Sequence, residues 1–192
     1  LRQKLLARVE KEHGVRLTFT DFIVKASAQA LREHPMVNGS FQEGATFDQS
    51  QLIMHEQVNV GLAVAVEAGL IVPVIRDADK KSVIELAKDR VHLEERARQG
   101  KLSLKEMTEG TFTVSNMGSL GVDEFRPIIN PPEAAILGVG RIAERPALRP
   151  GHVAGVPIMR LTLTADHRIL DGASAAAFLA TLVRHLEEPE EI

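Results

Sequence analysis

At 192 residues the chain has the length of one domain, and an apolar fraction of 44% is enough to bury a substantial core. A net charge of −3 gives no reason to expect nucleic acid, and 4% aromatic residues, with no Trp and no Tyr, argue against base- or sugar-stacking surfaces. Zero cysteines exclude a disulfide framework, a thiolate nucleophile and cysteine-ligated metal, and no apolar run approaches the roughly 20 residues of a membrane-spanning helix.

Leu1 to His13 reads as a helix with Leu5, Leu6 and Val9 on one face and Gly14 as its C-cap; its opening inside a helical pattern reads as a cut N-terminus. A second helix, capped by Thr20 or Asp21, runs through Glu33 with Phe22, Ile23, Ala26, Ala30 and Leu31 inward, and Pro35 stops it. Short extended segments follow near Val37 to Phe41 and Gln51 to His55. Val58 to Val66 alternates, Leu70 to Ile75 is nearly all apolar, and Glu67-Ala68-Gly69 joins them as a hairpin. Ser82 to Gln99 is an amphipathic helix whose charged face, with Arg90, Glu94, Glu95, Arg96 and Arg98, reads as solvated surface. Strands are expected at Thr111 to Ser115, Ala134 to Val139 and Pro157 to Thr164. A last helix spans Ser174 to Glu188 with Ala177, Phe178, Thr181, Leu182 and Leu186 buried. This order implies an α+β fold, helices packed on a mixed, mainly antiparallel sheet.

Chemistry concentrates in Asp166-His167-Arg168-Ile169-Leu170-Asp171-Gly172-Ala173, between an alternating strand and a helix. A strand-to-helix junction can hold a side chain rigidly beside a cleft, and His167 titrates near neutrality, as a general base must. Asp171 can orient the loop, fix the imidazole tautomer, or simply serve as an N-cap. No second acid, no metal-spaced ligand pair and no G-x-S-x-G elbow accompanies His167, so its spacing alone leaves catalysis and a structural role both open.

The segment DHRILDGA resembles the dihydrolipoamide acyltransferases, the core components of 2-oxo acid dehydrogenase complexes, and shares the shorter His-x-x-x-Asp-Gly pattern with the chloramphenicol acetyltransferases. The likeness continues through FIVKASAQALREHPMVNGSF (22 to 41), VNVGLAVAVEAGLIVPVIRDADKKS (58 to 82) and GTFTVSNMGSLGVDEFRPIINPPEAAILGVGRI (110 to 142). It implies a chloramphenicol acetyltransferase-like fold, a trimeric building block, and acyl transfer between dihydrolipoamide and coenzyme A. The acyl group is expected to be acetyl, with branched-chain acyl and succinyl as alternatives. By the same resemblance His167 is the base that deprotonates a thiol, Ser115 donates to the oxyanion, and Asp171 holds the His loop by pairing with a basic group. Asn116 and Gly118 shape the thiol end of the coenzyme A channel, and Arg168 forms a structural ion pair. The other histidines (His13, His34, His55, His92, His152, His185) match no catalytic position and are expected at the surface; Arg76, Lys80 and Lys81 read as a solvated turn before a phosphate site.

The resemblance further implies a site between subunits, trimers built into an octahedral or icosahedral core, and decarboxylase and dihydrolipoamide dehydrogenase partners. Lipoamide would arrive on a lipoyl domain that this chain lacks, as it lacks the peripheral-subunit-binding domain and the opening of the catalytic domain. Ile192 stands where relatives carry trimer-locking apolar residues. The family is cytoplasmic in bacteria and otherwise mitochondrial or plastid. A non-catalytic core subunit and a stand-alone acetyltransferase acting on a hydroxyl acceptor are the competing readings.

Overall fold

The computed structural model describes residues 2–67 and 69–188. Helices α1 (Arg2–His13), α2 (Phe19–Glu33), α3 (Val83–Arg98) and α4 (Gly172–Glu187) pack around a five-stranded sheet. That sheet has the order β11-β8-β7-β3-β6, formed by β3 (Val60–Leu62), β6 (Val74–Ile75), β7 (Phe112–Asn116), β8 (Ala135–Val139) and β11 (Leu161–Ala165). Three two-stranded ribbons surround it: β1 (Gly39–Gln42) with β2 (Gln51–Met54), β4 (Val64–Val66) with β5 (Gly69–Ile71), and β9 (Ala143–Arg149) with β10 (His152–Ile158). The α+β expectation holds, although the central sheet is evenly mixed, with β3–β7 and β7–β8 parallel and β8–β11 and β3–β6 antiparallel. No helix of the described residues is long and apolar enough to cross a membrane.

The two faces of the sheet differ because strand side chains alternate. Phe112 and Val114 of β7 share a face with Leu137 of β8 and are buried with Phe178 and Leu182 of α4 and Ile23 and Val24 of α2. On the other face lie Thr113, Ile136 and Thr164 in one cross-strand row, and Ser115, Gly138 and Thr162 in the next. The extended segment 122–131 covers part of that second face. Thr164 donates to the Pro127 carbonyl at 2.7 Å, and a Cβ on Gly138 would lie 2.9 Å from Pro127 Cδ. Glycine at 138 is what lets the segment lie flat on the sheet.

Several expectations need correction. Helix α2 begins at Phe19 behind Thr18, two or three residues before the cap expected at Thr20 or Asp21, because Asp21 accepts from the Thr18 N–H at 2.6 Å and its hydroxyl at 2.9 Å. Arg90 is not on a solvated face; it is buried and bonds Asp21 through Nε at 2.7 Å. The alternating Val58 to Val66 run divides at Ala63: β3 pairs with β6 in the main sheet, and β4 pairs with β5 in a separate ribbon. The expected strand Pro157 to Thr164 is the end of one hairpin and the start of β11, and the hairpin Ala143–Ile158 was not anticipated. On α4, Ala177 is exposed while His185 is buried. Leu1, Ala68 and Ile192, and the side chain of Leu5, lie outside the described residues.

Candidate active site

Ser115 occupies the fourth position of β7, opposite Gly138 of β8, and its half-buried side chain faces the groove between the sheet and segment 122–131. No hydrogen bond among the described residues engages its hydroxyl, which leaves it free to donate. Asn116, next along the strand, points to the opposite face. Its Nδ2 donates to Thr20 Oγ1 at 3.1 Å and its Oδ1 accepts from the Gly118 N–H at 2.9 Å. Asn116 thus ties the start of α2 to the loop after β7. A Cβ on Gly118 would sit 2.8 Å from the Gly140 carbonyl oxygen, so residue 118 must be glycine for the loop to lie against the end of β8. Asn116 and Gly118 line a second groove, bounded by Thr18, Thr20 and Arg141, that meets the Ser115 groove at Ala63 and Ser119.

His167 lies at the other end of the sheet. Strand β11 ends at Ala165, opposite Ala135, and Asp166 extends the ladder by donating to the Ala134 carbonyl at 2.8 Å. The chain then turns: the N–H groups of Ile169 and Leu170 both donate to the Asp166 carbonyl, at 3.0 and 2.9 Å, and Leu170 is buried as the anchor of the turn. His167 is left exposed at its tip. Arg168 pairs with the Asp166 carboxylate at 2.6 Å and lays its guanidinium 4.0 Å from the centre of the Phe41 ring, bracing the turn from outside. That ion pair holds the Asp166 carboxyl below its usual range.

Asp171 is the N-cap of α4 and accepts from the Ser174 N–H at 2.7 Å. The hydrogen bonds from Ser174 lower its pKa, with a smaller contribution from the charge of His167. Its carboxylate pairs with no Lys or Arg among the described residues and is engaged by the α4 terminus. The cap fixes where α4 starts, and therefore where the His167 turn ends.

Within one chain, His167 and Ser115 do not meet. Two strand spacings and three residues along the sheet separate Ala165 from Ser115, about 14 Å between Cα atoms, and His167 lies further out still. Neither groove beside Ser115 is lined by His167.

The remaining candidates resolve by their partners. Arg76 bonds Glu109 and the Lys105 and Thr108 carbonyls, Lys80 bonds Asp77, and Lys81 bonds Asp89, so all three cations of the basic run are locally paired. His13, His92 and His152 are exposed as expected, whereas His34 and His55 are half-buried and hydrogen-bonded to Thr181 and Ser40. His185 is buried against Glu33, at 2.6 Å. No cluster among the described residues is placed to hold a metal ion.

One functional candidate escaped the sequence reading. Glu133, 3% exposed, receives Thr113 Oγ1 at 2.6 Å and Asn130 Nδ2 at 3.1 Å. Burial pushes its carboxyl up to about 7, against those two hydrogen bonds. Thr113 shares the Ser115 face of β7, and Asn130 borders the Ser115 groove. An acid two residues before the wholly apolar strand Ala135–Val139 was the available signal.

All 192 residues match the family model described as 2-oxoacid dehydrogenases acyltransferase (catalytic domain). The chain is 41% identical over 98% of its length to the dihydrolipoyllysine-residue acetyltransferase component of the acetoin cleaving system of Bacillus subtilis, covering 46% of that protein. It is also 41% identical over its full length to the dihydrolipoyllysine-residue succinyltransferase component of the 2-oxoglutarate dehydrogenase complex of Cupriavidus necator, covering 45% of it. The chain therefore spans under half the length of these curated relatives. Among solved structures, the cubic core of a pyruvate dehydrogenase multienzyme complex superposes with a TM-score of 0.88 at 38% identity, over 96% of this chain and 74% of that one. The dihydrolipoamide acetyltransferase of Azotobacter vinelandii, solved to investigate one serine, one histidine and one asparagine in its catalytic mechanism, gives 0.88 at 37% identity, over 96% of this chain and 74% of that one. A chloramphenicol acetyltransferase, 13% identical with a TM-score of 0.56 over 94% of this chain and 80% of that one, shares the fold.

Proposed function

The chain belongs to the family of 2-oxoacid dehydrogenase acyltransferase catalytic domains, and from that premise we propose that it moves an acyl group, acetyl foremost, between dihydrolipoamide and coenzyme A. The observation that carries this reading is a spacing. In the Azotobacter vinelandii enzyme the serine and histidine under investigation are 52 residues apart and the asparagine follows the histidine by 4; Ser115, His167 and Asp171 repeat both intervals. The third residue differs, Asp for Asn, and an N-cap is a role that either side chain fills.

The chemistry follows from the groups present. His167 takes the proton of one substrate thiol, which at a free-thiol pKa of about 8.5 is only slightly ionised at neutral pH. The thiolate attacks the thioester carbonyl of the other substrate, and the Ser115 hydroxyl donates to the resulting oxyanion. Collapse expels the second thiolate, which recovers the proton from imidazolium. Both substrates offer a thiol and a thioester, so one base serves both directions. Asp171 positions the turn and moves no proton. Asn116 and Gly118 shape the second groove as the approach for coenzyme A.

A complete site then requires two chains, since one chain holds His167 and Ser115 apart. We place the protein as a trimer within a larger core of the kind its cubic-core relative forms, served by a lipoyl domain and by decarboxylase and dihydrolipoamide dehydrogenase components. We assign it to the bacterial cytoplasm, a reading that the bacterial source of its relatives supports.

The test is transfer from acetyl-coenzyme A to dihydrolipoamide. His167→Ala is expected to lose at least about 100-fold in turnover with assembly intact. Ser115→Ala should lower kcat by about 100-fold while coenzyme A still binds. Wild-type turnover in the His167 variant would overturn the assignment.

A further inference from the structure

Identity is equal, at 41%, to an acetyl- and to a succinyl-transferring relative, so the acyl class has to be read from the groove. Resting on the reading of Ser115 as oxyanion donor, we propose that the groove beside it is the acyl subsite and that it accepts only uncharged acyl groups, rejecting those that end in a carboxylate. The groove, of about 620 Å³, is walled chiefly by Leu70, Val72, Phe125, Pro127, Ile128 and Ile136. A short hydrocarbon tail loses nothing on entering such a wall, whereas a carboxylate needs replacements for the water it leaves.

Apart from the hydroxyls of Ser115, which is assigned to the oxyanion, and Ser119, the side-chain donors on the groove wall are already engaged. Asn116 has its amide N–H on Thr20 and its amide oxygen on Gly118. Thr113 and Asn130 both donate to Glu133. The backbone N–H of Met117 donates to the Val139 carbonyl at 3.0 Å. Of the charged groups at the rim, Arg98 is paired with Glu94 at 3.4 Å, and Glu133 lies behind the polar wall. Among the described residues this chain brings no unpaired cation to the groove. An entering carboxylate would meet one acid, Glu94, and one cation, Arg98, already paired with it, beside an apolar wall.

The experiment measures kcat/KM for acetyl-, isobutyryl- and succinyl-coenzyme A with dihydrolipoamide, using the assembled, full-chain protein. Acetyl is expected to exceed succinyl by on the order of 100-fold or more, with isobutyryl nearer to acetyl. Ile128, 90% exposed on the groove wall, is where a cation can be added without burying it. Ile128→Arg should shift the succinyl-to-acetyl ratio toward succinyl by about 10-fold or more, and Ile128→Gln should leave the ratio where it was. Succinyl transfer within about threefold of acetyl in the wild type would overturn the proposal while leaving the roles of His167 and Ser115 standing. A ratio unmoved by Ile128→Arg would overturn it too, because discrimination would lie elsewhere. Absence of transfer from all three donors would overturn the acyltransferase reading and this proposal together.

Discussion

Glu133 carries a pH signature that comes from its burial. Its carboxyl titrates near 7 in the folded protein, whereas an unfolded chain releases that proton near 4.5. Between those values the folded state keeps a proton that the unfolded state has lost. Stability is therefore fully present below about pH 4.5, declines as pH rises through about 7, and stays lower above it, by up to about 3 kcal/mol. Glu133→Gln removes the titration but keeps an acceptor for Asn130. Urea unfolding between pH 5 and pH 8 should show a flatter dependence for the variant, and higher stability than wild type at pH 8. Equal slopes would mean that Glu133 is not the titrating group. The contrast with His167 shows what was legible at this scale. His167 was found because its neighbours form a recognisable string. Glu133 was passed over because its importance lies in Thr113 and Asn130, distant from one another along the chain and joined only by folding.

At the scale of elements, α2 and α3 are bound to each other by a buried ion pair that looks, in sequence, like two unrelated surface charges. Asp21, 1% exposed, receives the Thr18 N–H and hydroxyl and Arg90 Nε, and Arg90 also reaches the Arg16 carbonyl at 3.2 Å. One carboxylate thus caps α2 and docks α3 on it. Removing it takes away the α2 cap and leaves the buried guanidinium with only its longer contact to Glu94, at 3.4 Å, so Asp21→Ala should destabilise the fold by about 3 kcal/mol. The pair Asp21→Leu with Arg90→Met should recover much of that loss. A single variant within 1 kcal/mol of wild type, by urea midpoint, would show the pair to be dispensable. Helices were legible because their apolar period and caps are local; α3 begins behind Ser82, whose hydroxyl accepts from the Glu85 N–H at 3.3 Å. The β9–β10 hairpin was not, because Pro146 argues against a strand and Pro157 reads as the opening of the strand expected at Pro157 to Thr164. A two-stranded ribbon outside the main sheet tolerates them: Pro146 lies opposite Gly155 and Pro157 opposite Glu144, and Gly151, at φ +79°, closes the turn.

For the whole molecule, the register of the central sheet decides how catalysis can be organised. Ser115 stands near the end of β7, level with the start of β11, and His167 follows the end of β11. Because β11 runs antiparallel to β8 and β8 parallel to β7, no rotamer of either side chain closes the gap. Under the proposed mechanism, general base and oxyanion donor act within about 3 Å of the same reacting atoms, and a second chain would then supply one of them. This turns the subunit-interface expectation into a quantitative test. His167→Ala and Ser115→Ala are each expected to keep about 1% of turnover or less alone, yet in mixed assemblies some interfaces pair the intact histidine of one variant with the intact serine of the other. Random mixing of equal amounts restores about a quarter of sites if each site draws on two neighbouring chains of a cyclic trimer. Co-expressed variants should then regain about a quarter of wild-type turnover per chain, while variants mixed after assembly regain none until subunits exchange. No recovery in co-assembled hybrids would mean that both residues of a working site come from one chain, and that the sheet must deform to bring them together.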